Sequence, residues 1–472
     1  MRKPNILFIM TDQFRHDAIG CVNGWMKTPN LDRLCRQGVR FSNTFSNSLE
    51  CVPARFSLAT GLYPHQSGIW SNMAITLNPH IENWMQAVAA AGYSTSLFGK
   101  THLHRTKHDL RKGLPLLQAY GFQTASETTG PPGNTRTLSD MTEAWREKGA
   151  WDAFIVDAEE RAEASHFEAH PTPLPLDLYY DVYVPQAAKR YLGGLPKDAP
   201  WFCCVSFGGP HPPYDTPEPY ASLYDPAKIP PPAPRMHDVD EEHGRLRKMF
   251  HKRRHSPDLS PSEIAVLRAY YAGAISLIDE QIGELLSAIE ARGELDNTLI
   301  VFTSDHGEMD GDQGLFGKAN GLDGAAKVPL IVVPPGRGSK AGTASAALVE
   351  LMDAGATIAD YAGAEFPQIS NAISLRAMLE GKKENHRDFV VSEFDEHYVL
   401  VTPEWKCEFD EELKSELLLD RINDPGELND LSRDSDTRRV RKDLANLLKT
   451  FLKQTPPREH VFRTKGQQKG RD

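Results

Sequence analysis

The stretch PNILFIMTDQ (residues 4–13) joins an apolar run to a threonine, an aspartate and a glutamine. A short, uninterrupted apolar run is typical of a central strand that is covered on both faces. The run is too short for the hydrophobic part of a signal peptide or for a membrane span. We therefore predict a buried first strand that ends beside Asp12 and Gln13, and we expect a cytoplasmic protein.

Strand patterns alternate with helical patterns along the chain. The longest helical pattern covers residues 262–292, where apolar residues recur every three or four positions. Further strand patterns lie at 94–99, 200–209, 298–305 and 327–333. This alternation predicts an α/β fold with a large, doubly wound, mostly parallel sheet flanked by helices.

The chain has 472 residues, which is longer than a single compact core usually supports. We assign residues 1–384 to the α/β domain, with long insertions near 104–185 and 215–260 that are predicted to be irregular and are rich in Pro, Gly and charge. Residues 385–457 are predicted to form a smaller C-terminal α+β subdomain, and residues 458–472 a polar tail.

Charge and cysteine usage exclude several classes of partner. The formal net charge is −11 and no basic stripe runs through the body of the chain, so nucleic acid and membrane surfaces are not expected partners. The six cysteines lack zinc-finger spacing and indicate a reducing compartment rather than a disulfide framework. The sequence leaves the oligomeric state open.

Polar residues follow four of the strand patterns, in the segments TDQFR, GKTHLH, GGPHPPY and TSDHGE. Sites in open α/β sheets gather at the carboxyl ends of strands. Asp12 and Gln13 would meet Asp305 and His306 there, and two carboxylates so placed would repel each other unless a cation lay between them. Oxygen ligands favour Ca²⁺ or Mg²⁺, and the histidine leaves Mn²⁺ or Zn²⁺ open.

Four basic or proton-carrying residues, Lys100, His102, His211 and Lys318, belong to the same or neighbouring segments. A lone lysine is usually a solvated surface group. Near a metal, these side chains would instead enclose a tetrahedral oxyanion.

The segment ECVPARFSLATG (residues 50–61) has Pro53 in the first turn of a predicted helix that begins at Cys51. Developing negative charge is stabilised at a helix N-terminus, and Arg55 adds a fixed cation. A buried structural thiol, a metal ligand, a nucleophile and a precursor of another group all stay open for Cys51 on this ground alone.

Together these motifs resemble the type I sulfatases of the alkaline phosphatase superfamily. Cys51, Pro53 and Arg55 match the C-x-P-x-R maturation motif, and the segments TPNLDRL, GKTH, SFGGPHPPY, DNTLIVFTSDHGE and NDPGELNDL match in the family's order. The resemblance implies an alkaline phosphatase-like fold. It also implies that a maturation enzyme oxidises Cys51 to formylglycine, whose hydrated aldehyde is the nucleophile.

The resemblance also implies a role for each site residue. Residue 51 would complete the shell of one divalent cation, usually calcium, held by Asp12, Gln13, Asp305 and His306. Arg55 and Lys100 would orient the diol, and His102 would take the proton that collapses the covalent intermediate. His211 and Lys318 would bind the sulfate oxygens and assist the leaving group.

We therefore expect hydrolysis of a sulfate monoester, either a sulfated carbohydrate or a small organic sulfate. One alternative is a phosphonate monoester or phosphodiester hydrolase of the same superfamily. Those enzymes share the metal-ligand pattern of Asp-Gln and Asp-His that is found here at residues 12–13 and 305–306. They tend to lack the lysine and histidine found here as Lys100 and His102. The other alternative is a non-catalytic binding protein with an unmodified Cys51. Trp70, His104, Arg105 and Asp323 are candidate liners of the substrate pocket, and the favoured alternative for each is a surface or packing residue.

Overall fold

The computed structural model describes residues 3–105, 108–163, 167–237, 245–250, 252 and 255–458. Most of the expected polar tail (459–472) and parts of both expected insertions lie outside the described residues. The strands are β1 (Asn5–Asp12), β2 (Val39–Phe45), β3 (Ser94–Lys100), β4 (Thr124–Thr128), β5 (Trp201–Pro210), β6 (Thr298–Ser304), β7 (Leu330–Val333), β8 (Thr343–Glu350), β9 (Val390–Phe394), β10 (His397–Val401), β11 (Trp405–Phe409) and β12 (Ser415–Asp420). The α-helices are α1 (Gly20–Asn23), α2 (Pro29–Gln37), α3 (Cys51–Thr60), α4 (Pro64–Ser67), α5 (Trp84–Ala90), α6 (Leu114–Ala119), α7 (Asp140–Glu147), α8 (Trp151–Glu163), α9 (Tyr180–Gly194), α10 (Arg245–Phe250), α11 (Pro261–Ala291), α12 (Asp323–Ala326), α13 (Asp353–Ala362), α14 (Arg376–Leu379) and α15 (Arg438–Gln454).

Eight strands form one sheet in the order β4-β3-β5-β1-β6-β7-β2-β8. β1 lies near the centre and pairs in parallel with β5 and β6. Strand β7 runs antiparallel to both of its neighbours, and the other pairs are parallel. The predicted mostly parallel sheet is thus confirmed. Because β1, β3, β5 and β6 run in the same direction, their carboxyl ends meet at one edge, where open α/β sheets place their sites.

Both faces of this sheet are covered, as the uninterrupted apolar run of β1 predicts. Ile6, Phe8 and Met10 pack on one face with residues of α3, α5 and α13. Leu7 and Ile9 pack on the other face with residues of α2, α9 and α11. No helix in the described part of the chain combines the length and apolar character that a membrane crossing requires.

A second sheet follows in the order β12-β11-β10-β9, with all pairs antiparallel. Helix α15 packs on it through Leu444, Leu448 and Phe451, which contact Leu400 and Leu418 in one buried cluster. The predicted C-terminal α+β unit is therefore present, while its boundary at residue 385 stays a prediction.

The segment 104–185 is more regular than its composition indicates. It contains β4, α6, α7, α8 and the start of α9. Ser139 caps α7 by accepting a hydrogen bond from the Thr142 amide at 3.2 Å. The rings of Trp145, Trp151 and Phe154 contact one another between α7 and α8. The interpretation of this segment as irregular was wrong because these aromatic side chains bury a face that loop-like composition conceals.

Candidate active site

Polar groups from separate elements converge at the carboxyl edge of the large sheet. Asp12 is the last residue of β1, Asp305 and His306 follow β6, and Cys51 is the first residue of α3. Their ligand atoms all lie within 4.8 Å of one another, and all four residues are buried. The structure thus brings together four of the five residues that the sequence predicts as a metal shell.

Gln13, the fifth predicted ligand, turns into the same cluster through a backbone with φ of 67°. The backbone N–H of Gln13 donates to Asp305 Oδ1 at 3.2 Å, and the side-chain Nε2 donates to the Glu308 carboxylate. These bonds leave the side-chain Oε1 buried without a partner among the described residues. A buried acceptor left unpaired costs roughly 1–3 kcal/mol, so this oxygen is suited to bind a metal ion.

The orientation of His306 also suits a metal. Its Nδ1 lies 3.0 Å from the Gly307 carbonyl oxygen, which can only accept, and this assigns the ring proton to Nδ1. The Nε2 lone pair then faces Cys51 Sγ at 3.1 Å and Asp12 Oδ1 at 3.6 Å. A carbonyl that fixes the tautomer of a ligating histidine is the usual second-shell arrangement. The donor set therefore fits a divalent cation.

Cys51 itself is only 3 % exposed. Its Sγ lies 3.0 Å from Lys318 Nζ and 3.7 Å from Asp12 Oδ1. Burial and Asp12 raise the pKa of the thiol, but Lys100, Lys318 and His306 lower it by more, so the pKa lies below its ordinary value. Position 51 consequently stabilises a negative charge.

Arg55, one helical turn after Cys51, supports the cluster from behind. Its Nε donates to Asp305 Oδ2 at 2.8 Å, and its Nη1 donates to the Lys100 carbonyl at 2.9 Å and to Ser206 Oγ at 3.0 Å. Its Nη2 is buried without a partner among the described residues. The guanidinium thus orients Asp305 and keeps one donor available for a ligand.

Lys100 is the last residue of β3, and His102 follows two residues later. The Lys100 ammonium donates to the Asp12 carboxylate. His102 has a left-handed backbone with φ of 55°, and its Nδ1 is buried without a partner among the described residues. Burial, then Lys100 and Arg55, hold the pKa of His102 well below 6.5. Its imidazole is therefore neutral at pH 7 and able to accept a proton.

His211 and Lys318 complete the enclosure. Burial and then Lys318 lower the pKa of His211 to about 3, and its Nδ1 lies 2.6 Å from the Pro212 carbonyl oxygen. Burial lowers the pKa of Lys318, but Cys51 and Asp12 raise it by more, so the lysine stays charged. Together with Lys100, Lys318 places a second ammonium beside position 51.

Several supporting residues of the site were not predicted from the sequence. Glu308 accepts a hydrogen bond from the side-chain amide of Gln13, and Ser206 accepts one from Arg55. Asp181 Oδ1 accepts from the amides of Gly208 and Gly209 at 2.9 and 3.0 Å, just before His211. Glu308 belongs to the recognised TSDHGE segment and Ser206 to SFGGPHPPY, so both could have been assigned from those segments, whereas Asp181 lies outside every recognised motif.

A cavity of about 730 Å³ opens above Cys51. A second, of about 500 Å³, shares Pro132, Arg136 and His211 with the first. The residues that line the first cavity are Cys51, Asn72, Lys100, His102, Arg105, His108, Thr129, Gly130, Pro132, Gly133, Arg136, Thr137 and His211.

Of the four residues predicted to line the pocket, only Arg105 does so among the described residues. Trp70 instead packs edge-on against Tyr398 with ring centroids 5.7 Å apart. His104 Nε2 lies 2.7 Å from Glu127 Oε2. Asp323 pairs with the ammonium groups of two lysines, 327 and 406. These three residues instead have the packing or surface role that was the alternative for each, because other side chains engage them: Tyr398, Glu127 and, for Asp323, both the adjacent turn and Lys406.

Two family models match the chain. The model described as sulfatase matches residues 4–364. The model described as the C-terminal part of N-sulphoglucosamine sulphohydrolase matches residues 311–454. The two matches overlap, and together they cover nearly the whole described chain.

Known proteins are similar over most of their length. An arylsulfatase from Clostridium perfringens (strain 13 / Type A) is 28% identical over 482 residues, covering 98% of this chain and 96% of the relative. PehA, a multifunctional alkaline phosphatase superfamily protein from Trinickia caryophylli, is 29% identical over 438 residues, covering 84% of this chain and 81% of the relative. The crystal structure of the phosphonate monoester hydrolase of Agrobacterium radiobacter superposes with a TM-score of 0.80 at 27% identity, covering 96% of each chain. Since the first family model spans most of the sequence, this chain belongs to the sulfatase family, the sulfuric ester hydrolases of alkaline phosphatase-like fold.

Proposed function

We propose that the protein hydrolyses a sulfate monoester to an alcohol and inorganic sulfate at residue 51, after a maturation enzyme has converted Cys51 to formylglycine. The observation that carries the proposal is the convergence on Cys51 of a metal-capable cluster with the ammonium groups of Lys100 and Lys318. A sulfated carbohydrate or a small organic sulfate is the proposed substrate.

Asp12, Gln13, Asp305 and His306 would hold one divalent cation. Calcium is the proposed ion, and Mg²⁺, Mn²⁺ and Zn²⁺ are compatible with three oxygen ligands and one imidazole. The unpaired Gln13 Oε1 supports this assignment, because a cation would satisfy it. Bound there, the ion would neutralise anionic oxygens and lower the pKa of a coordinated hydroxyl.

The protein's own cations would bind the sulfate group. Lys100 and Lys318 offset the charge that makes a sulfate ester resist nucleophiles, and they fix its orientation toward residue 51. The Nδ1–H of His211 is directed to the Pro212 carbonyl. Its Nε2 must therefore gain a proton before it donates to the sulfate or to the departing alcohol. An incoming anion favours that protonation.

His102 would act as the general base. Its neutral imidazole is able to accept a proton, since burial, and then Lys100 and Arg55, disfavour the charged ring and lower its pKa. Formylglycine in its hydrated form supplies one hydroxyl for attack and a second whose deprotonation releases sulfate. A well-placed base contributes roughly 10²–10⁴ in rate.

Turnover of 4-nitrophenyl sulfate by the purified full chain tests the proposal, with and without a chelator. Release of nitrophenol and sulfate that stops on chelation and resumes on adding metal is expected. Intact mass tests the state of Cys51, because formylglycine is about 18 Da lighter than cysteine. An unchanged thiol without turnover, after co-expression with a maturation enzyme, would favour a non-catalytic binding protein.

The second candidate function is hydrolysis of a phosphonate monoester or phosphodiester. The similarity to a phosphonate monoester hydrolase, with its TM-score of 0.80, favours it. Lys100 and His102 favour the sulfatase assignment, since the phosphonate enzymes tend to lack them. Side-by-side rates on 4-nitrophenyl sulfate and a phenylphosphonate monoester separate the two, and faster phosphonate turnover would reverse the order.

A further inference from the structure

The cavity above Cys51 has a charge opposite to that of the whole chain. Its lining contains three permanent cations, Lys100, Arg105 and Arg136, and three histidines. No carboxylate lines it among the residues that the structure describes. The chain carries a formal net charge of −11, so this concentration of positive charge is local to the cavity.

Arg105 and Arg136 differ from the other cations of the site. The Lys100 ammonium already contacts the Asp12 carboxylate. Both arginines are exposed, and within the described ranges neither guanidinium has a carboxylate partner. Two guanidinium groups that line the same cavity without a carboxylate partner in the described chain would repel each other, which an anion bound between them would relieve.

Backbone contacts hold the two arginine-bearing segments together beside the catalytic residues. The Leu138 amide donates to the His108 carbonyl at 2.7 Å, and the Leu110 amide donates to the Leu138 carbonyl at 2.8 Å. Gly130, six residues before Arg136, lies so close to Lys100 that an added Cβ would approach Nζ to 3.3 Å. The cavity lining that includes the two arginines therefore also includes Lys100, which lies beside the place proposed for the sulfate.

We propose that the substrate carries a second anionic group, in addition to the sulfate that is hydrolysed, and that Arg105 and Arg136 bind it. This inference rests on the proposed function and names its substrate class. A guanidinium forms paired hydrogen bonds equally with a carboxylate or with a sulfate oxygen pair. The second group is thus a carboxylate or a further sulfate on the same molecule.

Calorimetric binding of sulfonates tests the inference without turnover, because sulfonates have no ester bond to hydrolyse. The probes are benzenesulfonate, benzene-1,3-disulfonate and 3-sulfobenzoate, titrated into the full chain. We expect at least one of the two dianions to bind about tenfold more tightly than benzenesulfonate, as charge-assisted hydrogen bonds typically allow. The better dianion identifies the second group as a sulfate or a carboxylate.

Arg105→Gln and Arg136→Gln should each reduce that preference severalfold. Arg439→Gln is the matched control, since Arg439 is 93% exposed on α15 and pairs only with Asp443 among its described neighbours. Equal affinity for all three probes, or a preference that survives both cavity variants, would overturn the inference. Failure of the proposed function has a different signature, the absence of 4-nitrophenyl sulfate turnover.

Discussion

The ammonium nitrogen of Lys318 lies 3.0 Å from the sulfur of Cys51. The same nitrogen lies 2.8 Å from Nε2 of His306, so one cation contacts both the proposed nucleophile and the proposed metal shell. A positive charge fixed at this point favours a reaction in which negative charge gathers on and around residue 51.

Lys318→Met should lower kcat for 4-nitrophenyl sulfate by about 10²–10³, the usual cost of one preorganised donor. The thioether chain keeps most of the side-chain volume while removing the charge. Steady-state kinetics provide the measurement, and Lys340→Met, at an exposed position, is the control. A loss confined to KM would show that Lys318 binds substrate equally in the ground state and the transition state.

Cys51→Ala should abolish sulfate ester turnover while the protein keeps its fold. Within the described part of the chain the thiol makes polar contacts only inside the site, so its removal leaves the hydrophobic core of the sheet intact. Cys51→Ser should also be inactive unless the host matures serine. Turnover and thermal melting measured together distinguish loss of chemistry from loss of fold, and wild-type rates in either variant would refute the assignment of the nucleophile.

Arg55→Met should weaken metal binding about 10- to 100-fold, because outer-shell partners orient ligating carboxylates. The Arg55 Nε–Asp305 Oδ2 contact of 2.8 Å is such a partner. Calorimetric titration of the stripped protein with Ca²⁺ and Mn²⁺ checks the expectation. Arg33→Met, at a surface pair with Glu290, should leave metal affinity unchanged. If Arg55→Met bound the metal as tightly as the wild type, Arg55 would not position the metal-binding carboxylate of Asp305.

The strand ends of this site could be predicted from sequence for a physical reason. A short apolar run such as that of β1 must be buried on both faces, and parallel strands share one carboxyl edge. Asp12, Asp305 and His211 follow directly from that rule. The strand-end rule does not predict Cys51 and Arg55. A lone cysteine at the start of a helix has several interpretations until the C-x-P-x-R motif is recognised.

The remaining features depend on contacts that no local pattern records. Strand β4 and helices α7 and α8 are stabilised by burial in a composition typical of loops, which is why tertiary packing outweighed propensity there. Arg136 reaches the site only because its segment pairs with residues 108–110. Asp323 does not line the pocket because it pairs with Lys406, 83 residues away, as well as with the nearby Lys327.

His102→Ala should lower kcat by about 10²–10⁴ if the residue is the general base. A base works unprotonated, and the pKa of His102 lies well below 6.5 because of burial and the neighbouring Lys100. Activity that depends on His102 should therefore persist as the pH falls through 6.5 and disappear only well below it. The kcat–pH profile checks this, with His237→Ala at an exposed position as the control. An acid limb near 6.5 that vanishes in His102→Ala would contradict it.

His65 of α4 is held to β9 of the second sheet and to the end of α15 through buried hydrogen bonds. Its Nδ1 lies 2.6 Å from Glu393 Oε1 and its Nε2 lies 2.6 Å from the Thr455 carbonyl oxygen. Because both partners are acceptors, both ring nitrogens carry protons and the imidazole is charged. Burial lowers the pKa of His65, but Glu393 raises it by more, so the folded-state pKa lies above 6.5.

This contact should therefore stabilise the fold below the unfolded-state pKa of about 6.5, and its contribution should disappear as the pH rises through the folded-state pKa. His65→Gln should cost about 3 kcal/mol of unfolding free energy at pH 6, since it leaves the buried Glu393 carboxylate without its cation. Urea unfolding of wild type and variant from pH 6 to pH 9 is the measurement, with His80→Gln as the exposed control. The gap between wild type and variant should narrow with increasing pH. A gap that stayed constant or widened would mean that His65 is neutral in the folded protein and that its contacts act only as uncharged hydrogen bonds.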